Sequence, residues 1–138
     1  NYWASGYGQN NLFVLKTDHQ GADETKSIST FGGGFNDFGN CVRETDDGGF
    51  IIIGSKLSQT TTNKDVWVLK LTYDLSTEWE KTYGGDADDV GSSINQTTDG
   101  GYIITGSTYS YGNQSEIILL KINSSGIIQD FSAASNSE

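Results

Sequence analysis

Short apolar runs separated by clusters of turn-forming residues dominate the chain. Phe50-Ile51-Ile52-Ile53 and Ile117-Ile118-Leu119-Leu120 are continuous runs rather than alternating ones. Continuity of that kind predicts strands covered on both faces. Around the second run, strand patterns over residues 90–97 and 102–108 flank Asp99-Gly100-Gly101. An Asp-Gly pair there predicts a tight hairpin in which both turn residues need positive φ. A third strand pattern covers 116–122, followed by a turn at 123–126, and 77–83 supplies a fourth, carrying Trp79. No window of adequate length shows apolar residues at the three-and-four spacing of a helix, so helical repeats are excluded.

The pattern repeats. Phe31-Gly32-Gly33 leads through Asp37 and Gly39 to Thr45-Asp46-Asp47-Gly48-Gly49-Phe50, and the same order returns 52 positions later, from Tyr83-Gly84-Gly85 through Asp89 and Gly91 to Thr97-Thr98-Asp99-Gly100-Gly101-Tyr102. Leu15-Lys16, Leu69-Lys70 and Leu120-Lys121 mark a second register. Tyr2-Trp3-Ala4-Ser5-Gly6 matches Phe50 to Gly54 and Tyr102 to Gly106, so the chain starts inside a repeat whose first strand is missing. Four strands in about fifty residues correspond to one blade of a propeller, whose sheets pack face to face around an axis. The expectation is an all-β chain forming one β-propeller segment of about three four-stranded antiparallel blades, at 1–33, 34–85 and 86–131, with 132–138 as a Ser/Ala-rich tail.

Closed propellers have four to eight blades, so three form an incomplete ring. Two outer faces and at least one strand edge are then exposed, and such surfaces pair or aggregate. Completion is expected from further blades of the same protein or from copies of itself, in a ring or a head-to-tail filament.

The string Thr98-Asp99-Gly100-Gly101-Tyr102-Ile103-Ile104-Thr105-Gly106-Ser107-Thr108, an apolar strand ending in Leu-Lys, and Trp79-Glu80-Lys81-Thr82-Tyr83-Gly84-Gly85 together resemble the blades of secreted prokaryotic β-propeller proteins. The resemblance covers nearly the whole chain. It implies an extracellular or cell-surface setting and is uninformative about ligand. Two departures stand out: the first copy has Ser27-Ile28 where the second has Trp79, and the third ends in Asp130-Phe131-Ser132-Ala133-Ala134 without Tyr-Gly-Gly.

Composition narrows the partners. Eight basic against 18 acidic residues give a net charge of −10, which repels phosphate backbones and anionic lipid, so nucleic acid is not an expected partner. No apolar run approaches the length of a membrane span, so membrane insertion is not expected. One cysteine, Cys41, cannot close an intrachain disulfide; it matches Ser93 and reads as a small interior residue. The sequence begins at Asn1 without Met or a signal peptide, as expected of a processed segment or a fragment.

In a propeller, the loops joining strands two and three and those joining successive blades open on one face, the usual binding surface. Tyr7, Asn10, Asn36, Tyr109, Tyr111 and Asn113 fall there. Their chemistry suits hydroxyl-rich ligands through stacking and neutral hydrogen bonds. Asp86, Asp88 and Asp89 are a candidate Ca²⁺ site, since hard cations take carboxylate oxygens. Yet the preceding repeat has Gly34, Asn36 and Asp37 in their place, which favours a turn-capping role for Asp37 and Asp89. His19, the sole histidine, belongs to a turn away from the binding face, and no catalytic triad is assembled around it. Gly32-Gly33-Gly34 and Gly84-Gly85 are crossing turns rather than phosphate loops, as no helix follows. Asn95, Asn113 and Asn123 lie in sequons for N-glycosylation.

The leading expectation is a non-enzymatic extracellular scaffold or adhesion module that needs no cofactor and presents polar loops to a glycan or protein. A self-assembling filament or ring subunit is the structural alternative. Part of a larger propeller enzyme, its active site in the central channel, is the third.

Overall fold

The computed structural model describes residues 10–18, 20–58, 62–112 and 114–134, and these contain ten β-strands and no helix. Strands β1 (Leu12–Thr17) and β2 (Asp23–Phe31) pair as a first sheet. The central sheet has β3 (Asp37–Glu44), β4 (Phe50–Leu57), β5 (Lys64–Leu71) and β6 (Thr77–Tyr83) in sequential antiparallel order. The third repeats that order with β7 (Asp89–Gln96), β8 (Tyr102–Thr108), β9 (Glu116–Ile122) and β10 (Ile128–Ala134). The expected all-β class and four-stranded antiparallel sheets are therefore present.

The hairpin turns explain the Asp-Gly-Gly string, although not in the way expected. Gly48 and Gly100 have positive φ (77° and 79°), whereas Asp47 and Asp99 do not. The turn is longer than a two-residue hairpin: Thr45 N–H donates to the Gly49 carbonyl and Gly48 N–H to the Thr45 carbonyl, a turn closed by one left-handed residue. Asp47 Oδ1 accepts from the Thr45 hydroxyl (2.5 Å) and the Gly49 amide (2.9 Å), and Asp99 repeats this with Thr97 and Gly101. Those bonds hold both Asp carboxylates well below the usual carboxylate range, the Lys70 ammonium contributing most at Asp47 and the Thr97 hydroxyl at Asp99. The second glycine is steric: a Cβ at Gly101 would stand 2.5 Å from Lys121 Nζ and 2.4 Å from the Ile122 carbonyl. This space admits the lysine of the recurring Leu-Lys pair. Lys121 Nζ reaches Asp99 (3.0 Å) and Gln129 (3.2 Å), as Lys70 Nζ reaches Asp47 (2.8 Å) and Glu78 (3.0 Å).

The central sheet is buried on both faces, as its continuous apolar runs predict. Ile51, Ile53, Val66 and Val68 pack against Ile94, Tyr102, Ile104, Ile118, Leu120 and Ile122 of the third sheet. Ile52, Trp67, Leu69 and Leu71 face the other way, onto Leu12, Val14 and Phe31 of the first. The strands that begin the two larger sheets run side by side: Asn40 Nδ2 donates to the Gly91 carbonyl, Arg43 Nε to Asn95 Oδ1 and Asp46 N–H to Gln96 Oε1. Their approach is close enough that a Cβ at Gly91 would lie 2.4 Å from Ile53. At the outer edge large side chains fill the gap instead. Trp79 Nε1 donates to the Ser124 carbonyl, and the Tyr83 hydroxyl donates to that of Gly126 (2.7 Å).

The run at 117–120 departs from expectation. Ile118 and Leu120 are buried, but Ile117 is 67% and Leu119 46% exposed. Strand β9 is covered on one face only, because no fourth sheet stands beyond it among the described residues.

Candidate functional site

Strand direction alternates, so the hairpin turns lie at one end of the sheets and the remaining loops at the other. There the segment 84–88, crossing from β6 to β7, is bound to loops on both sides. Asn63 Nδ2 donates to the Asp86 carbonyl, and Lys64 N–H to Asp88 Oδ1 (2.9 Å). Toward the third sheet, Tyr109 N–H donates to the Asp88 carbonyl, and Ser110 Oγ accepts from Ala87 N–H (3.1 Å) while donating to Asp89 Oδ2 (2.7 Å). Tyr111 Oη reaches the Gly84 carbonyl at 3.5 Å. These bonds tie the crossing segment to the loops on both sides of it.

Beneath the rim is a cavity of about 420 Å³ between β6 and β10, lined by Tyr83, Gly84, Asp89, Tyr111, Ile128 and Phe131 among others. Tyr111 and Phe131 rings meet at 4.8 Å between centroids, forming an aromatic wall. Burial pushes the Tyr83 phenol up to about 12, so it remains a donor at any ordinary pH. Beside the cavity, Asp65 Oδ1 and Asp89 Oδ2 stand 2.2 and 2.7 Å from where a Cβ of Gly84 would be. Only glycine leaves room for both carboxylates. Burial, then the Asp89 charge, raises the Asp65 pKa; burial, then Asp89 and Asp65, raises that of Tyr111.

The rim brings together some of the anticipated residues. Tyr109 and Tyr111 are 55% and 50% exposed on it. Asn10 and Asn36 meet at the equivalent place one sheet earlier, where Asn10 N–H donates to Asn36 Oδ1 (2.9 Å), the bond that Lys64 and Asp88 repeat. Tyr7, His19 and Asn113 lie outside the described residues.

The carboxylates proposed for Ca²⁺ serve separate ends. Asp88 caps Lys64, Asp89 is buried and accepts from Gly85 N–H (2.9 Å), and Asp86 is exposed. Among the described residues no group of three or more His, Cys, Asp or Glu is placed to hold a metal. Asp37 repeats the capping bond with Gly33 N–H (2.6 Å). Cys41 is half-buried, its side chain packed on the core between the central and third sheets. Asn95 is exposed on β7, and Asn123 Oδ1 accepts from Ser125 and Ile127 amides in the β9–β10 turn.

Asp65 and Ser110 escaped the sequence reading. A signal for Asp65 was available: Asn11, Asp65 and Glu116 share one repeat position, and all three carry side-chain oxygen. Ser110 likewise has an equivalent, Ser58, 52 positions earlier. No protein-family model matches the chain, and no curated protein is similar to it in sequence.

Proposed function

We propose that the sheets are blades of a β-propeller and that the chain is a non-enzymatic extracellular scaffold whose loop rim holds a glycan. The propeller reading is supported by wedge-shaped packing: glycine lets the first strands of neighbouring sheets touch, while Trp79 and Tyr83 keep the last strands apart. Sheets that taper so are arranged around an axis. The extracellular setting rests on the resemblance to secreted propeller blades and on the acidic, polar surface.

One observation carries the ligand: Tyr109 and Tyr111 stand half-exposed on a hydrogen-bonded rim beside a cavity whose floor offers Asp89. Exposed aromatic faces stack on sugar rings, and fixed polar groups orient hydroxyls with little ordering cost on binding. Catalysis is not part of the proposal, since Asp88 and Asp89 are engaged with backbone amides rather than converging on one reacting point.

A glycan array probed with the purified chain tests the reading. Binding is expected, weakened about tenfold by Tyr111→Ala, the loss of one stacking contact. Absence of any glycan ligand, or binding indifferent to Tyr109→Ala and Tyr111→Ala together, overturns it.

A further inference from the structure

The repeat register assigns every apolar position of the third strands a partner, and among the described residues two sets have none. Leu12, Val66 and Ile117 share one position; Val14, Val68 and Leu119 share another. Val66 and Val68 are fully buried against the following sheet, and Leu12 and Val14 pack against theirs. Ile117 and Leu119, in the same positions, are 67% and 46% exposed. The opposite face behaves likewise. Trp67 and Leu69, and Ile118 and Leu120, are buried against the preceding sheet, whereas their equivalents Phe13 and Leu15 are 58% and 48% exposed.

The exposed faces are thus the two halves of a single interface, one that is already formed twice inside the chain. We propose that the β9 face of one copy, carrying Ile117 and Leu119, docks on the β1 face of a second copy, carrying Phe13 and Leu15. The contact is heterologous, with different patches meeting, and it continues the internal stacking of sheets. Four large apolar side chains leave water in each junction, and their solvent exposure in the single chain gives the drive. The proposal depends on the repeat register alone and stands or falls independently of any glycan bound at the rim.

Light scattering coupled to size-exclusion chromatography of the 138-residue chain tests it. Wild type is expected above the single-chain mass of 14.9 kDa, increasingly so with concentration. Phe13→Lys and Ile117→Lys, each at an exposed side chain and each checked for retained β-sheet circular dichroism, are expected to fall to the single-chain mass. Mixing the two variants then distinguishes this contact from a symmetric one. Each retains the face the other has lost, so a two-chain complex reappears. Leu15→Lys and Leu119→Lys form a second pair if either first variant misfolds. A wild type that remains at the single-chain mass, variants that assemble as wild type does, or folded variants that fail to complement on mixing would each overturn the proposal.

Discussion

Adjacent residues Ile52 and Ile53 point to opposite sides of the central sheet, Ile52 toward the first sheet and Ile53 toward the third. Truncating each to Ala asks whether both sides are core. Both side chains are essentially inaccessible, at 3% and 0% exposure, so each substitution removes buried methyl groups and leaves a cavity that the rigid strands on either side cannot close. Such changes cost about 2–5 kcal/mol. Taking about 3 kcal/mol, and roughly 3–4 °C per kcal/mol for a chain of this size, the melting midpoint falls by about 10 °C for either variant. Ile117→Ala, at 67% exposure, serves as the internal control and should lie within about 0.5 kcal/mol of wild type in dilute solution. Urea unfolding followed by tryptophan fluorescence gives all three values at constant slope. If Ile52→Ala costs less than about 1 kcal/mol while Ile53→Ala costs the full amount, the central sheet has one core face and the stacked arrangement is refuted.

Gly91→Ala forces a methyl group into Ile53 and is expected to cost about 1–3 kcal/mol, whereas Gly34→Ala, with nothing within 4 Å, should be neutral; equal effects in thermal melts contradict the close approach of β7. Asp65→Asn should stabilise the fold at neutral pH. Burial and the Asp89 charge raise the Asp65 pKa, so its contribution is fully present below the unfolded value and is lost as pH rises through the folded one. The gain from Asn therefore shrinks toward pH 3, and melts whose difference does not depend on pH count against it. Asp47 has the opposite sign. Its pKa is depressed, first by Lys70, so its contribution is present above the unfolded carboxylate value and disappears only on acidification. Because its side chain is 56% exposed, Asp47→Asn should cost about 1 kcal/mol or less at neutral pH, as read by urea titration.

Much of the architecture was legible because period and turn chemistry are local properties. Strand patterns between the recurring turn signals placed β6 to β9 nearly where they stand, and the continuous apolar run at 50–53 identified the doubly buried central sheet. Three things were not legible. The turn type was missed because Asp-Gly supports both a two-residue hairpin and a longer one, and the Thr45 and Asp47 side chains decide between them. The exposure of Ile117 and Leu119 follows from there being no sheet beyond β9 among the described residues, which composition cannot register. Asp65 was overlooked because its role comes from Asp89, 24 positions away, being brought beside it by a crossing loop. The rim is assembled from several loops at once, and single-loop composition conveyed only its polarity.

In the central and third sheets the lysine near the end of the third strand ties a hairpin turn to the last strand of its own sheet, whereas Lys16 of the first sheet lies over the Tyr73 ring of the central one. Each of these two fifty-residue units thereby carries its own staple, and its contacts with adjoining units, such as the Asp37 N–H bond to the Asn10 carbonyl, are separate from it. Duplication of such a unit inserts a module whose front matches the back of the one before it. A gene built this way can grow or shrink by whole repeats with no new contact to invent.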